Sequence, residues 1–132
     1  MEPIISLEQV SKHYQNFTLG PLDLSLPAGY IMGLIGENGA GKSTAIRLML
    51  DLARPDSGSI HLLGKENRSL GPLDREEIGV VLDETCFPEH LTVRQLEAVL
   101  ASAYRLWQPE AFQGYLDRFQ LPREKRIREF SR

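Results

Sequence analysis

The sequence predicts an α/β fold: a sheet-rich N-terminal lobe over residues 1–90 that carries a phosphate-binding loop, then a partial helical subdomain over 91–132. Three observations carry that prediction. The apolar run Tyr30-Ile31-Met32-Gly33-Leu34-Ile35 enters Gly36-Glu37-Asn38-Gly39-Ala40-Gly41-Lys42-Ser43 and leaves as a helical pattern, the strand–loop–helix order of a G-x-x-x-x-G-K-[ST] site. A second unbroken apolar run, Ile78-Gly79-Val80-Val81-Leu82, has the character of a strand that a parallel sheet buries on both faces. From Thr92 onward the apolar residues recur at helical instead of strand spacing.

In chain order, residues 4–26 read as hairpin-like strands, partly alternating in "IISLEQVSKHY" and more fully in "LDLSL", with breaks at Gly20-Pro21 and Pro27-Ala28-Gly29. After the glycine loop, Ala45, Ile46, Leu48, Met49, Leu52 and Ala53 form a helical stripe that Pro55 stops. "RPDSGSIHLLG" reads as a turn and a short strand. Thr92 and Gln95 make a capping box for a helix with Val93, Leu96, Val99, Leu100 and Ala103 on one face. Pro109 suits the first turn of a second helix with Phe112, Tyr115, Leu116 and Phe119 on its apolar face, and Pro122 is expected to start a third.

The chain has 132 residues, 42% hydrophobic and 25% charged, the composition of one globular domain. Its net charge of −3 gives no overall positive field for nucleic acid or anionic lipid. Six basic and two acidic residues concentrate in 118–132, and the mixed signs of "REKRIRE" suit a solvated helix face better than a nucleic-acid arm. The single cysteine, Cys86, allows no internal disulfide. The first ten residues lack the basic start and apolar core of a signal peptide, and no run reaches the ~18 apolar residues of a membrane helix. The expectation is a cytoplasmic chain that meets a membrane only through a partner.

The loop spacing has a physical basis. Polyphosphate lies against backbone N–H groups, and glycines at 36, 39 and 41 let the chain wrap closely and take positive φ without a Cβ clash. The helix that starts near Gly41 adds its dipole and unpaired N–H groups. Lys42 then places a positive charge on the β/γ-phosphates, and the Ser43 hydroxyl suits Mg²⁺. Asp83 and Glu84, at the end of the second apolar run, permit two readings on pattern alone. They form a metal-binding and water-polarising pair in a compact phosphate-loop enzyme, or they are solvated turn residues.

Several features together resemble the ATP-binding subunit of an ABC transporter: Tyr14 upstream, then "GLIGENGAGKSTAIRLML", "RPDSGSIHLLGKE", "IGVVLDE" and "FPEHLTVRQLE". They keep the family's order over essentially the whole chain. The resemblance implies an α/β phosphate-loop NTPase of ABC ATPase type, of which this chain is the N-terminal part. It implies that Tyr14 stacks on adenine. Gly36, Glu37, Asn38, Gly39, Ala40, Gly41, Lys42, Ser43 and Thr44 would hold the phosphates, with Ser43 and Asp83 at the metal. Asp83 stands where the family usually has glutamine, which keeps an oxygen ligand and adds a charge. "EFSR" looks like the start of the family's signature, with Phe130, Ser131 and Arg132 at its Leu, Ser and first Gly positions. The family's later metal-site Asp, catalytic Glu and switch His have no counterpart, and His13, His61 and His90 lie in contexts unlike that switch.

The resemblance implies ATP and Mg²⁺ as ligands, a second ATP-binding subunit and a membrane permease as partners, and a position at the cytoplasmic face of the membrane. In the family each ATP lies between one subunit's phosphate loop and the other's signature, so the expectation is that this chain binds MgATP with negligible turnover. Self-association and a frayed C-terminus are also expected, from apolar helix faces left uncovered. Two alternatives stand beside this reading: a compact GTPase or nucleotide kinase that uses Asp83 and Glu84, and a non-catalytic nucleotide-sensing module. No N-K-x-D guanine-reading tetrapeptide occurs, which weighs against the GTPase.

Overall fold

In a computed structural model, the structure describes residues 2–36, 41–82 and 86–130. The chain divides into two compact units, Met1–Ile78 and Gly79–Arg132.

The first unit is built on a four-stranded antiparallel sheet. Its strands are β1 (Pro3–Tyr14), β2 (Phe17–Pro27), β3 (Ser57–Leu62) and β4 (Lys65–Glu66), in the spatial order β2-β1-β3-β4. β1 and β2 make a long hairpin joined at Gln15-Asn16, with Tyr14 opposite Phe17. β2 runs through Gly20-Pro21, where the sequence predicted a break. The partial alternation of β1 has a local cause. Glu8 and Gln9 are both exposed between buried Leu7 and buried Val10, and the register with both neighbours shifts there, which marks a β-bulge. Gln9 takes a positive φ of 49°, and its backbone N–H donates to Asp23 Oδ1 at 2.8 Å. Gly58 in β3 (φ 87°) faces the bulge, and any Cβ there would overlap the Glu8–Gln9 backbone.

Helix α1 (Lys42–Met49) packs on this sheet. Its Ala45 and Leu48 join Leu7, Val10, Leu19 and Ile60 in one buried cluster, flanked by Phe17, Leu22, Leu24 and Met49. The helix ends at Met49, before the expected Pro55 stop, and Asp51 turns the chain with φ 58°. Among the described residues, the two apolar runs predicted as buried parallel strands, 30–35 and 78–82, form no strand. Ile31, Ile35 and Val81 are fully exposed. A parallel strand is made by neighbours on its flanks. Without them an apolar run forms no ladder. A short helix, α2 (Pro72–Arg75), follows β4.

The second unit holds α3 (Val93–Ala103) and α4 (Pro109–Arg118). The predicted capping box is present: Gln95 N–H donates to Thr92 Oγ1 at 3.2 Å, and Thr92 N–H donates to Gln95 Oε1 at 2.9 Å. Pro109 opens α4 as expected. The third helix at Pro122 does not form. Residues 123–125 instead turn beside the start of α3, Arg126 bridges Thr92, and a 3₁₀ turn follows at Ile127–Glu129. Val93 N–H and Arg94 N–H donate to the carbonyls of Lys125 and Arg123, both at 3.0 Å, so this segment satisfies two donors that the helix start leaves open. Arg123 pairs with Glu97, and Arg94 with Glu124 at 2.6 Å. The basic cluster is therefore a pairing segment, not the helix face that its charge pattern predicted, and residues 123–130 are tied down by these bonds.

Candidate functional site

The site begins where the loop meets α1. Gly41 is the residue before the helix and takes φ 96°, ψ 5°, a left-handed conformation that glycine adopts without Cβ strain. Its carbonyl accepts the Ala45 N–H at 2.8 Å, the first bond of the helix. A Cβ at Gly41 would lie 2.7 Å from Leu19 Cδ1 and 2.9 Å from Phe17 Cζ, so the β2 side chains form a floor directly under this turn. A side chain here would have to take the left-handed backbone and displace both of these side-chain ends, and the contact ties the loop's exit to the β1–β2 hairpin.

Lys42 is the first helical residue, and its Nζ donates to the Gly36 carbonyl. The side chain thus ties Gly36, the first residue of the motif, to the first turn of α1. Ser43 is exposed and Thr44 half-buried in the same first turn, which contains no acidic side chain to repel an anion. Glu37, Asn38, Gly39 and Ala40 lie outside the described residues, as do Asp83 and Glu84, Ser131 and Arg132.

The far end of α1 is fixed by a residue that sequence reasoning did not single out. Asn67, 4% exposed, donates from Nδ2 to the carbonyls of Leu48 at 2.8 Å and Met49 at 3.3 Å. These are carbonyls that the helix leaves without an intrahelical partner. An asparagine in a polar connector 18 residues further on offers no sequence signal for this role.

Tyr14 closes β1 and is 47% exposed, its ring available on the hairpin's rim. The Nζ of Lys12 sits 5.7 Å from the ring centroid. His13 is on the same strand, and its Nδ1 lies 3.2 Å from Thr18 Oγ1 across the hairpin. His61 lies within β3, opposite Ser6. No group of three His, Cys, Asp or Glu side chains able to hold a metal occurs among the described residues. Mg²⁺ in a phosphate site needs no such cage, because it keeps several waters and takes one or two protein oxygens beside the substrate phosphates. The exposed Ser43 hydroxyl next to Lys42 fits that role.

Comparison with known proteins agrees with this local architecture. Residues 19–132 match the ABC transporter family. The sulfate/thiosulfate import ATP-binding protein CysA of Synechococcus elongatus is 39% identical over 92 residues, 69% of this chain and 26% of that protein. The bacitracin transport ATP-binding protein BcrA of Enterococcus faecalis is 34% identical over 102 residues, 76% of this chain and 33% of that protein. Among solved structures, an ATP-binding subunit of an ABC transporter superposes with a TM-score of 0.81 at 25% identity, covering 97% of this chain and 56% of that one. The ATP-binding cassette MJ0796, solved as a post-hydrolysis dimer with ADP and Pi, gives a TM-score of 0.76 at 21% identity over 96% of this chain and 63% of that one, a likeness of fold. The chain thus spans about a quarter to a third of these sequence relatives and somewhat over half of these solved chains. With an α/β fold shared with an ABC transporter ATP-binding subunit and a family match over residues 19–132, the chain belongs to the ABC transporter family.

Proposed function

We propose that this chain is the nucleotide-binding part of an ABC transporter ATP-binding subunit, and that it binds MgATP at 36–44. The observation that carries this reading is the Lys42 ammonium held on the Gly36 carbonyl, at the N-terminus of a helix whose preceding glycine is left-handed. The start of a helix, with its dipole, and a lysine converge on one place, which is the arrangement that favours polyphosphate. On binding, Lys42 exchanges the Gly36 carbonyl for a β/γ-phosphate oxygen. Ser43 supplies a hydroxyl oxygen to Mg²⁺, Thr44 a further phosphate contact, and Tyr14 a stacking face for adenine. The remaining residues of the motif, Glu37, Asn38, Gly39 and Ala40, belong to the same phosphate-binding segment.

Coupling to transport follows from the relatives. CysA and BcrA are named as import and transport ATP-binding proteins, which supports a membrane permease as partner and a place at the cytoplasmic face of the membrane. No helix among the described residues is long and apolar enough to cross a membrane. The solved post-hydrolysis dimer supports pairing with a second ATP-binding subunit. A charge-stabilising group supplied in trans is worth 10³–10⁵ in rate in related phosphate-loop enzymes, so the 132-residue chain is expected to bind MgATP and release phosphate negligibly. Steady-state phosphate release, with labelled ATP and GTP in competition, tests this. Bound MgATP without turnover supports the reading. Robust turnover that Lys42→Ala abolishes, or a clear GTP preference, points instead to a compact phosphate-loop enzyme.

A further inference from the structure

The end of β1 is fastened by one residue from another part of the chain. Asp56, in the turn before β3, donates its backbone N–H to the Ser11 carbonyl at 2.8 Å, and its Oδ2 accepts the His13 backbone N–H at 2.6 Å. These two bonds flank Lys12. The remaining Asp56 oxygen, Oδ1, lies 3.8 Å from Lys12 Nζ, and the Lys12 side chain is only 21% exposed although it stands on the hairpin. The same ammonium lies over the Tyr14 ring at 5.7 Å from its centroid, within the range of a cation–π contact. One carboxylate therefore fixes the strand's backbone and holds the cation that covers one face of Tyr14.

We propose that Lys12, anchored by Asp56, is a positioning residue that holds the Tyr14 ring ready to stack on the adenine base. The inference rests on the reading of Tyr14 as the base-stacking residue. A free tyrosine at a strand end loses side-chain freedom when a base stacks on it, and a ring already held on one face loses less. Lys12 occupies one face, leaving the opposite one for the purine. The role concerns the base alone, so its loss affects ligands that carry a base and spares those that do not.

The test compares the affinities of the 132-residue chain for MgATP and for inorganic tripolyphosphate with Mg²⁺. Lys12→Met keeps the side chain's length and removes its charge. It is expected to weaken ATP binding about 3- to 10-fold and leave tripolyphosphate unchanged. Lys12→Arg is expected to restore ATP affinity. Asp56→Asn, which retains an acceptor for the His13 N–H, is expected to give a smaller loss of the same kind. Tyr14→Ala separates base stacking from ring positioning. If it lowers ATP affinity selectively while Lys12→Met does not, the positioning role is overturned and the stacking role stands. If Tyr14→Ala leaves the ATP-to-tripolyphosphate ratio unchanged, both fall. Equal losses of ATP and tripolyphosphate in Lys12→Met also overturn the proposal, because Lys12 would then act on the phosphates.

Discussion

Gly41 and Asn67 show how single residues fix the helix that presents the phosphate loop. At Gly41 a side chain meets two obstacles, the left-handed backbone and the Phe17–Leu19 floor. Gly41→Ala is expected to cost about 1–3 kcal/mol of stability and to weaken nucleotide binding, measured by urea denaturation and ligand titration. Gly33→Ala, at a position with ordinary φ and open space around its Cα, is expected to stay within about 0.5 kcal/mol of the parent. Asn67→Ala removes the Asn67 donor from the Met49 carbonyl and one of two donors from the Leu48 carbonyl, which keeps the Asp51 N–H at 3.2 Å, and a loss of about 1–2 kcal/mol is expected in the same denaturation measurement. The glycine was legible in the sequence because the motif's spacing names it. The asparagine was not, because its role comes from tertiary contact with a helix far away in sequence.

At the level of elements, two carboxylates staple turns to strands and make the first unit sensitive to acid. The His13 backbone N–H, with help from Lys12, holds the Asp56 carboxyl below its ordinary range. The Lys65 side chain and the Gly71 N–H do the same for Asp74, at 2.7 and 2.9 Å. A carboxyl whose folded pKa is depressed binds its proton less readily in the folded state than in the unfolded one. Its stabilising contribution is therefore complete above the unfolded value of about 3.9 and disappears as pH falls through the lower folded value. Urea midpoints should show the parent more stable than Asp74→Asn at pH 6, with the margin shrinking below about pH 4; a margin that persists unchanged to pH 2 contradicts this origin. The helical elements were the most legible. The Thr92–Gln95 capping box and Pro109 announced the starts of α3 and α4 through local chemistry that the fold retains. The apolar runs at 30–35 and 78–82 and the basic run from 123 were not legible in the same way. Strand formation depends on neighbours and the basic segment pairs with the start of α3, neither of which periodicity encodes.

For the whole molecule, the sheet β2-β1-β3-β4 and helix α1 form the scaffold that places Tyr14, Gly41 and Lys42 in the first unit. Family membership was readable from the order of the motifs. The antiparallel sheet was only half readable, because the bulge at Gln9 interrupts the alternation that would mark β1 as one long strand. This scaffold is proposed to bind nucleotide where Lys42 meets Gly36. Equilibrium titration of the 132-residue chain with labelled MgATP, beside Lys42→Ala, tests it most directly. Saturable binding to the parent is expected, with a loss of about 10- to 100-fold in Lys42→Ala, the worth of one charge-assisted hydrogen bond to phosphate. Absence of saturable binding, or equal affinity in the two proteins, would contradict it.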